Sequence, residues 1–164
     1  MEKTMISLPE IKLIGITART NNTNEMVSTQ AKIGSTMQRY FHDQLPNKIP
    51  HRKKPAKTFC VYTNYESDFT GDYTYFIGEE VTSFARRTSN EFQTLIINPQ
   101  TYAKFTTQPG ALPNVVIEGW QKIWQMSVQD FGQPRRYHAD FEVYDERATN
   151  PNNAIVDIYI GLGT

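Results

Sequence analysis

Cysteine is almost absent from this sequence. Cys60 stands alone in 164 residues, which excludes an internal disulfide and a thiolate zinc site and favours a reducing compartment. Net charge is absent as well, because 17 Lys and Arg balance 17 Asp and Glu. The chain as a whole therefore has no electrostatic reason to seek nucleic acid or an anionic membrane, and direct nucleic acid binding is not expected. Long apolar runs are missing too: the opening MEKTMISLPEIKLIGI is too short and too interrupted for a signal peptide or a membrane span. These absences together read as a cytoplasmic protein with no membrane partner. The length suits one domain over residues 1–164, large enough to bury a core and hold a pocket without covalent staples.

Aromatic rings are what the sequence has in quantity, with nine Tyr, nine Phe and two Trp. Such residues serve either a core or a recognition surface. Their arrangement is repetitive. VYTNYESDFTGDYTYFIG in the middle of the chain and VYDERATNPNNAIVDIYIG at its end both open with Val-Tyr, pass through turn residues and finish in an alternating apolar segment capped by Ile-Gly.

The repeat extends on either side of these stretches, over about residues 5–80 and 93–162. Two short apolar segments broken at Pro9 are matched by two broken at Pro99; proline cannot donate to a sheet ladder, so each break is a bend between strands. A helix follows in each half. Ile33, Met37, Tyr40 and Phe41 fall on one helical face within residues 26–45, with Asn24 as a candidate N-cap. Val116, Trp120, Ile123 and Trp124 recur at the same spacings, with Pro113 in a first-turn position.

A pair of strands closes each half, over 58–65 and 73–78 and again over 137–144 and 155–161. The segment between the first helix and its strands, with the run His51-Arg52-Lys53-Lys54, is a solvated loop, and Gly71 and Gly78 are turn glycines rather than a phosphate cradle. The expected fold is α+β: duplicated β-β-α-β-β units joined about a pseudo-two-fold into one antiparallel sheet with two helices packed on it.

Aligning Val61-Tyr62 with Val143-Tyr144 sets Cys60 opposite Glu142, and there the repeat loses its symmetry. Strand alternation places Asp140, Glu142 and Tyr144 on one face and Phe141 and Val143 on the other, which is expected to meet the helices. On pattern alone a charged residue at 142 belongs on the wet side of a half-buried sheet. His138, Asp140 and Glu142 share that face, but one strand rarely supplies three ligands to a metal, and none is expected. Trp120 and Trp124 at helical spacing suit a core. No nucleophile, triad or cofactor motif accompanies them, so neither catalytic residues nor a cofactor is assigned.

The order and spacing of Tyr62-x-x-Tyr65-x-x-Asp68, Gly71-Asp72-Tyr73-x-Tyr75-x-x-Gly78, Phe141-Glu142-Val143-Tyr144-Asp145 and Val156-Asp157-Ile158-Tyr159-Ile160-Gly161 resemble the gyrase-inhibitor-like effector-binding domain of bacterial multidrug-sensing transcription activators. The resemblance runs from Met5 to Leu162. It implies the same duplicated fold and a small-molecule pocket near the pseudo-two-fold, ring-lined with a carboxylate at its base, that takes up bulky apolar cations. Glu142 matches that carboxylate and Tyr159 a ring of the wall; Tyr62, Tyr65, Tyr75, Trp120 and Trp124 are further candidates. The helix-turn-helix segment of the activators has no counterpart ahead of the repeat, so a free-standing binder of amphipathic cations is the expectation. Two rivals come with the resemblance: a hydrolase of reactive alkylating compounds using Glu142 and a tyrosine, and an inhibitor of DNA gyrase.

Overall fold

The computed structural model describes residues 1–86 and 88–163. In chain order the first half contains β1 (Glu2–Leu8), β2 (Ile11–Thr20), α1 (Asn22–Glu25), α2 (Ile33–His42), β3 (Thr58–Thr63) and β4 (Tyr73–Glu80). The second half contains β5 (Gln93–Ile97), β6 (Gln100–Thr106), α3 (Asn114–Trp124), α4 (Val128–Phe131), β7 (Ala139–Tyr144) and β8 (Asp157–Leu162). All eight strands form one antiparallel α+β sheet in the order β1-β6-β8-β7-β3-β4-β2-β5. Exchanging each strand for its repeat mate turns that order into its own reverse, which is the signature of a two-fold running between β3 and β7. Across this central pair Cys60 is the Cα partner of Glu142. Two residues that the repeat makes equivalent thus face each other, and the pseudo-axis passes beside them.

The helical stretches depart from expectation at their ends. The first is split: Asn21, not Asn24, caps α1 through its side chain, and α2 begins only after Lys32. In the second half Ser127 and Asp130 form a reciprocal capping box that starts the extra short helix α4. Gly78 lies inside β4 rather than in a turn, opposite Gly15 of β2. A Cβ on it would stand 2.1 Å from the carbonyl oxygen of Ile14, so only glycine lets the two backbones approach so closely.

The larger correction concerns which face of the sheet the helices cover. Phe141 and Val143 were expected beneath them, yet both pack with Phe59, Val61, Ile11, Leu13, Ile97 and Tyr102 in a cluster without helical residues. Its members come from opposite ends of the strand order, because the two-residue links through Pro9 and Pro99 join strands far apart in the sheet and bring its ends together over Phe59 and Phe141. The sheet covers that face itself. Both helices therefore lie on the other face: α2 brings Ile33, Met37 and Tyr40 onto Ile14, Ile16, Tyr75 and Ile77, and α3 brings Val116, Trp120 and Ile123 onto Ala103, Phe105, Ile158 and Ile160. The basic loop lies along the sheet, with Arg52 3.4 Å from Glu79 and Lys53 3.3 Å from Glu80.

No helix of the described residues is long and apolar enough to cross a membrane.

Candidate functional site

Strand alternation points Glu142 to the face that the helices roof over, and the side chain is only 2% exposed. Three neutral donors hold its carboxylate. The hydroxyl of Tyr62 and the indole N–H of Trp120 each donate to Oε2 at 2.7 Å, and the hydroxyl of Tyr144 donates to Oε1 at 2.7 Å. Tyr62 and Tyr144 are repeat mates, so the pseudo-symmetry brings one tyrosine to each side of an acid that has no symmetric copy of itself. Burial pushes the Glu142 carboxyl up from its ordinary value; the bonds from Tyr144, Tyr62 and Trp120 pull it part of the way back. Desolvation, reinforced by the nearby Glu142 charge, drives the Tyr62 and Tyr144 hydroxyls well above the usual tyrosine range.

Cys60 lies across the strand pair, fully buried, and its sulfur accepts a 3.3 Å hydrogen bond from Tyr75. Burial, with the adjacent Glu142 charge, holds this thiol protonated by pushing it well above its ordinary value.

Four acids are buried in the described residues: Glu79, Asp140, Glu142 and Asp157. Asp140 pairs with Arg135 at 2.8 Å, Asp157 with Arg147 at 2.6 Å and Glu79 with Arg52 at 3.4 Å. Glu142 has no cationic partner among the described residues. An ionised carboxylate without one is held at a cost of several kcal/mol unless it takes a proton.

Of the residues singled out from sequence, Tyr62, Tyr75 and Trp120 gather at Glu142, with the Tyr62 ring centroid 5.7 Å from that of Tyr75 and 5.2 Å from that of Trp120. Tyr65 goes elsewhere: its hydroxyl donates to Asp140 at 2.6 Å. Trp124 stacks on Phe69 with centroids 5.9 Å apart. Tyr159 is a correction. Ile158 is the Cα partner of Glu142, so Ile158 shares its face and Tyr159 points through the sheet to the other side. There it stacks on Phe141 at 4.6 Å, with the Lys104 ammonium 5.7 Å from its ring centroid.

Tyr144 takes the place in the cluster that was expected of Tyr159. The signal for it was available, since a residue two positions along a strand from Glu142 must share its face. Beside Tyr144 and Cys60 lies a cavity of about 280 Å³, bounded by Met37 and Phe41 of α2 and by Leu112 and Ala148. A larger cleft of about 360 Å³, with Lys48, Arg86, Ser89 and Glu91 on its walls, contains none of the residues of this cluster.

The family described as integron-associated effector binding protein matches residues 4–162. The chain is 26% identical to an integron cassette protein from the mobile metagenome of Vibrio cholerae, covering 98% of this chain and 95% of that one with a TM-score of 0.76. It is 25% identical over 151 residues to YobU of Bacillus subtilis (strain 168), which carries the name of a transcriptional regulator, across 92% of this chain and 91% of YobU. The structure of SAV2435 bound to tetraphenylphosphonium has the same fold at 19% identity, covering 99% of this chain and 94% of that one with a TM-score of 0.74.

Proposed function

The chain belongs to the integron-associated effector-binding protein family, and from that premise we propose that its effectors are small amphipathic organic cations received by the Glu142 carboxylate. The observation that carries this reading is the missing countercharge: Glu142 is buried against neutral donors, while the other buried acids of the described residues each have a cation. A cation arriving there supplies the absent partner and offsets a desolvation cost of several kcal/mol. The rings of Tyr62, Tyr75, Trp120 and Tyr144 add about 0.5–2 kcal/mol each wherever a face meets the positive charge. Charge is then read strictly and shape loosely, which is the profile of a broad-range sensor. The tetraphenylphosphonium carried by SAV2435 is a ligand of this class. YobU bears a regulator's name, and the bound cation would accordingly act as a signal in transcriptional control rather than as a substrate.

Titration with tetraphenylphosphonium, followed by tryptophan fluorescence, tests the reading in wild type and Glu142→Gln. Trp120 reports directly, because its indole bonds the carboxylate. The expected result is at least a tenfold loss of affinity in the variant, about 1.4 kcal/mol. Equal affinities would remove the charge from the argument. Recovery of chemically altered ligand after incubation would favour the hydrolase alternative.

A further inference from the structure

The two sides of the pseudo-axis are built alike but filled differently. Superposing the helical spacings of the repeat makes Met37 of α2 equivalent to Trp120 of α3, and Phe41 equivalent to Trp124. On the α3 side the larger pair is in ring contact: Trp120 lies edge-on to Tyr62 at 5.2 Å and bonds Glu142, and Trp124 stacks on Phe69. On the α2 side the smaller pair leaves the cavity of about 280 Å³, whose floor includes Cys60 and Tyr144.

The carboxylate of Glu142 is asymmetric in the same sense. A carboxylate oxygen offers two acceptor sites. Oε2 has both filled, by Tyr62 and Trp120, whereas Oε1 accepts only from Tyr144 among the described residues, and Tyr144 also lines the cavity. The acid on the cavity wall, Asp145, is already held by Arg147 at 2.9 Å, whereas Glu142, bonded by the cavity-lining Tyr144, has no cationic partner among the described residues.

We infer that the effector occupies the α2 side alone, approaching Oε1 of Glu142 past Tyr144, and that Met37 is the residue that makes room for it. This rests on the reading of Glu142 as the group that receives a cation. At about 280 Å³ the space lies just below the range of drug-sized pockets, so it admits a compact monocation with one flat apolar ring system as it stands, and a bulkier cation such as tetraphenylphosphonium once Met37 shifts. Met37 suits that task, since an unbranched thioether adapts to varied shapes and contacts aromatic faces favourably. Trp120 is the bulkier hydrogen-bond donor on the other side.

Calorimetric titration of the full chain with N-methylacridinium tests the assignment. Met37→Trp copies the filled side onto the open one, and Ala148→Met fills the same cavity from the opposite wall, so the result does not depend on one variant folding. Each is expected to weaken binding at least tenfold, as is Glu142→Gln. If Glu142→Gln loses the ligand while both filling variants keep wild-type affinity, the cation reaches the carboxylate by another route; the inference is then overturned and the general reading of Glu142 survives. If Glu142→Gln binds as wild type does, both fall. Wild-type protein that takes tetraphenylphosphonium but not N-methylacridinium also overturns the inference.

Discussion

The middle of β7 and its beginning hold two buried acids two residues apart on the same face, and the fold treats them in opposite ways. Asp140, with no exposed surface, is enclosed by Arg135 at 2.8 Å, the Tyr65 hydroxyl at 2.6 Å and the Gly161 N–H at 2.7 Å. Glu142 has as many hydrogen bonds but no cation among the described residues. The difference teaches that hydrogen-bond satisfaction and charge compensation are separate requirements. Neutral donors remove the worst of the desolvation cost, and the remaining imbalance is what a ligand can exploit. Asp140 ties the start of β7 to the end of β8 and to the loop that carries Arg135, which is structural work.

The contrast can be broken most forcefully at its structural end. Asp140→Asn leaves the Arg135 guanidinium buried without its partner, and the expected loss of stability is about 3–5 kcal/mol, read from urea unfolding midpoints. A loss no larger than that of a surface substitution would mean that Asp140 is as uncompensated as Glu142, and the distinction would collapse.

An intermediate effect is expected from Tyr144→Phe. It strips Oε1 of its single donor among the described residues, so the ionised carboxylate becomes harder to hold and its pKa rises further. A cost of about 1–3 kcal/mol at neutral pH should shrink in acid, where the carboxyl is protonated. Urea melts at the two pH values measure this directly.

The smallest effect sharpens the comparison rather than breaking it. The folded-state pKa of Glu142 is raised above 4.5 by burial. The stability it contributes is therefore fully present below pH 4.5 and lost as pH rises through the folded value. Relative to Glu142→Gln, wild type should lose stability across that window with a slope no steeper than about 1.4 kcal/mol per pH unit. A wild type that instead gains stability over the same window would place Glu142 among the paired acids.

Much of this was readable in advance from local patterns. The order of strands and helices, the duplication and the singular acid at 142 follow from alternation, helical spacing and an alignment of the chain with itself. Tyr62, Tyr75 and Trp120 entered only as further wall candidates that the resemblance implied, and spacing by itself assigned Trp120 to a core; their gathering at Glu142 is a through-space fact. Tyr159 was misplaced because the resemblance supplied a ring without its parity; its Cα neighbour Phe141 was already known to point away from Glu142. Met37, now central to the open side, gave no sign of its role beyond its place on a helical face, since what matters about it is the volume by which it falls short of its counterpart Trp120.

Periodicity is a property of neighbours in the chain, so the sequence alone determined which segments are strands, which are helices, that the chain says the same thing twice, and that where one copy has Glu142 the other has Cys60. Which face of the sheet the helices would cover was decided by tertiary structure, because the sheet's own ends close over Phe141 and no local pattern records that. The same holds for the charge state of the site: Asp140 and Glu142 are equally acidic on paper, and only the through-space positions of Arg135, Tyr62, Trp120 and Tyr144 make one a finished ion pair and the other an acid without a counterion among the described residues.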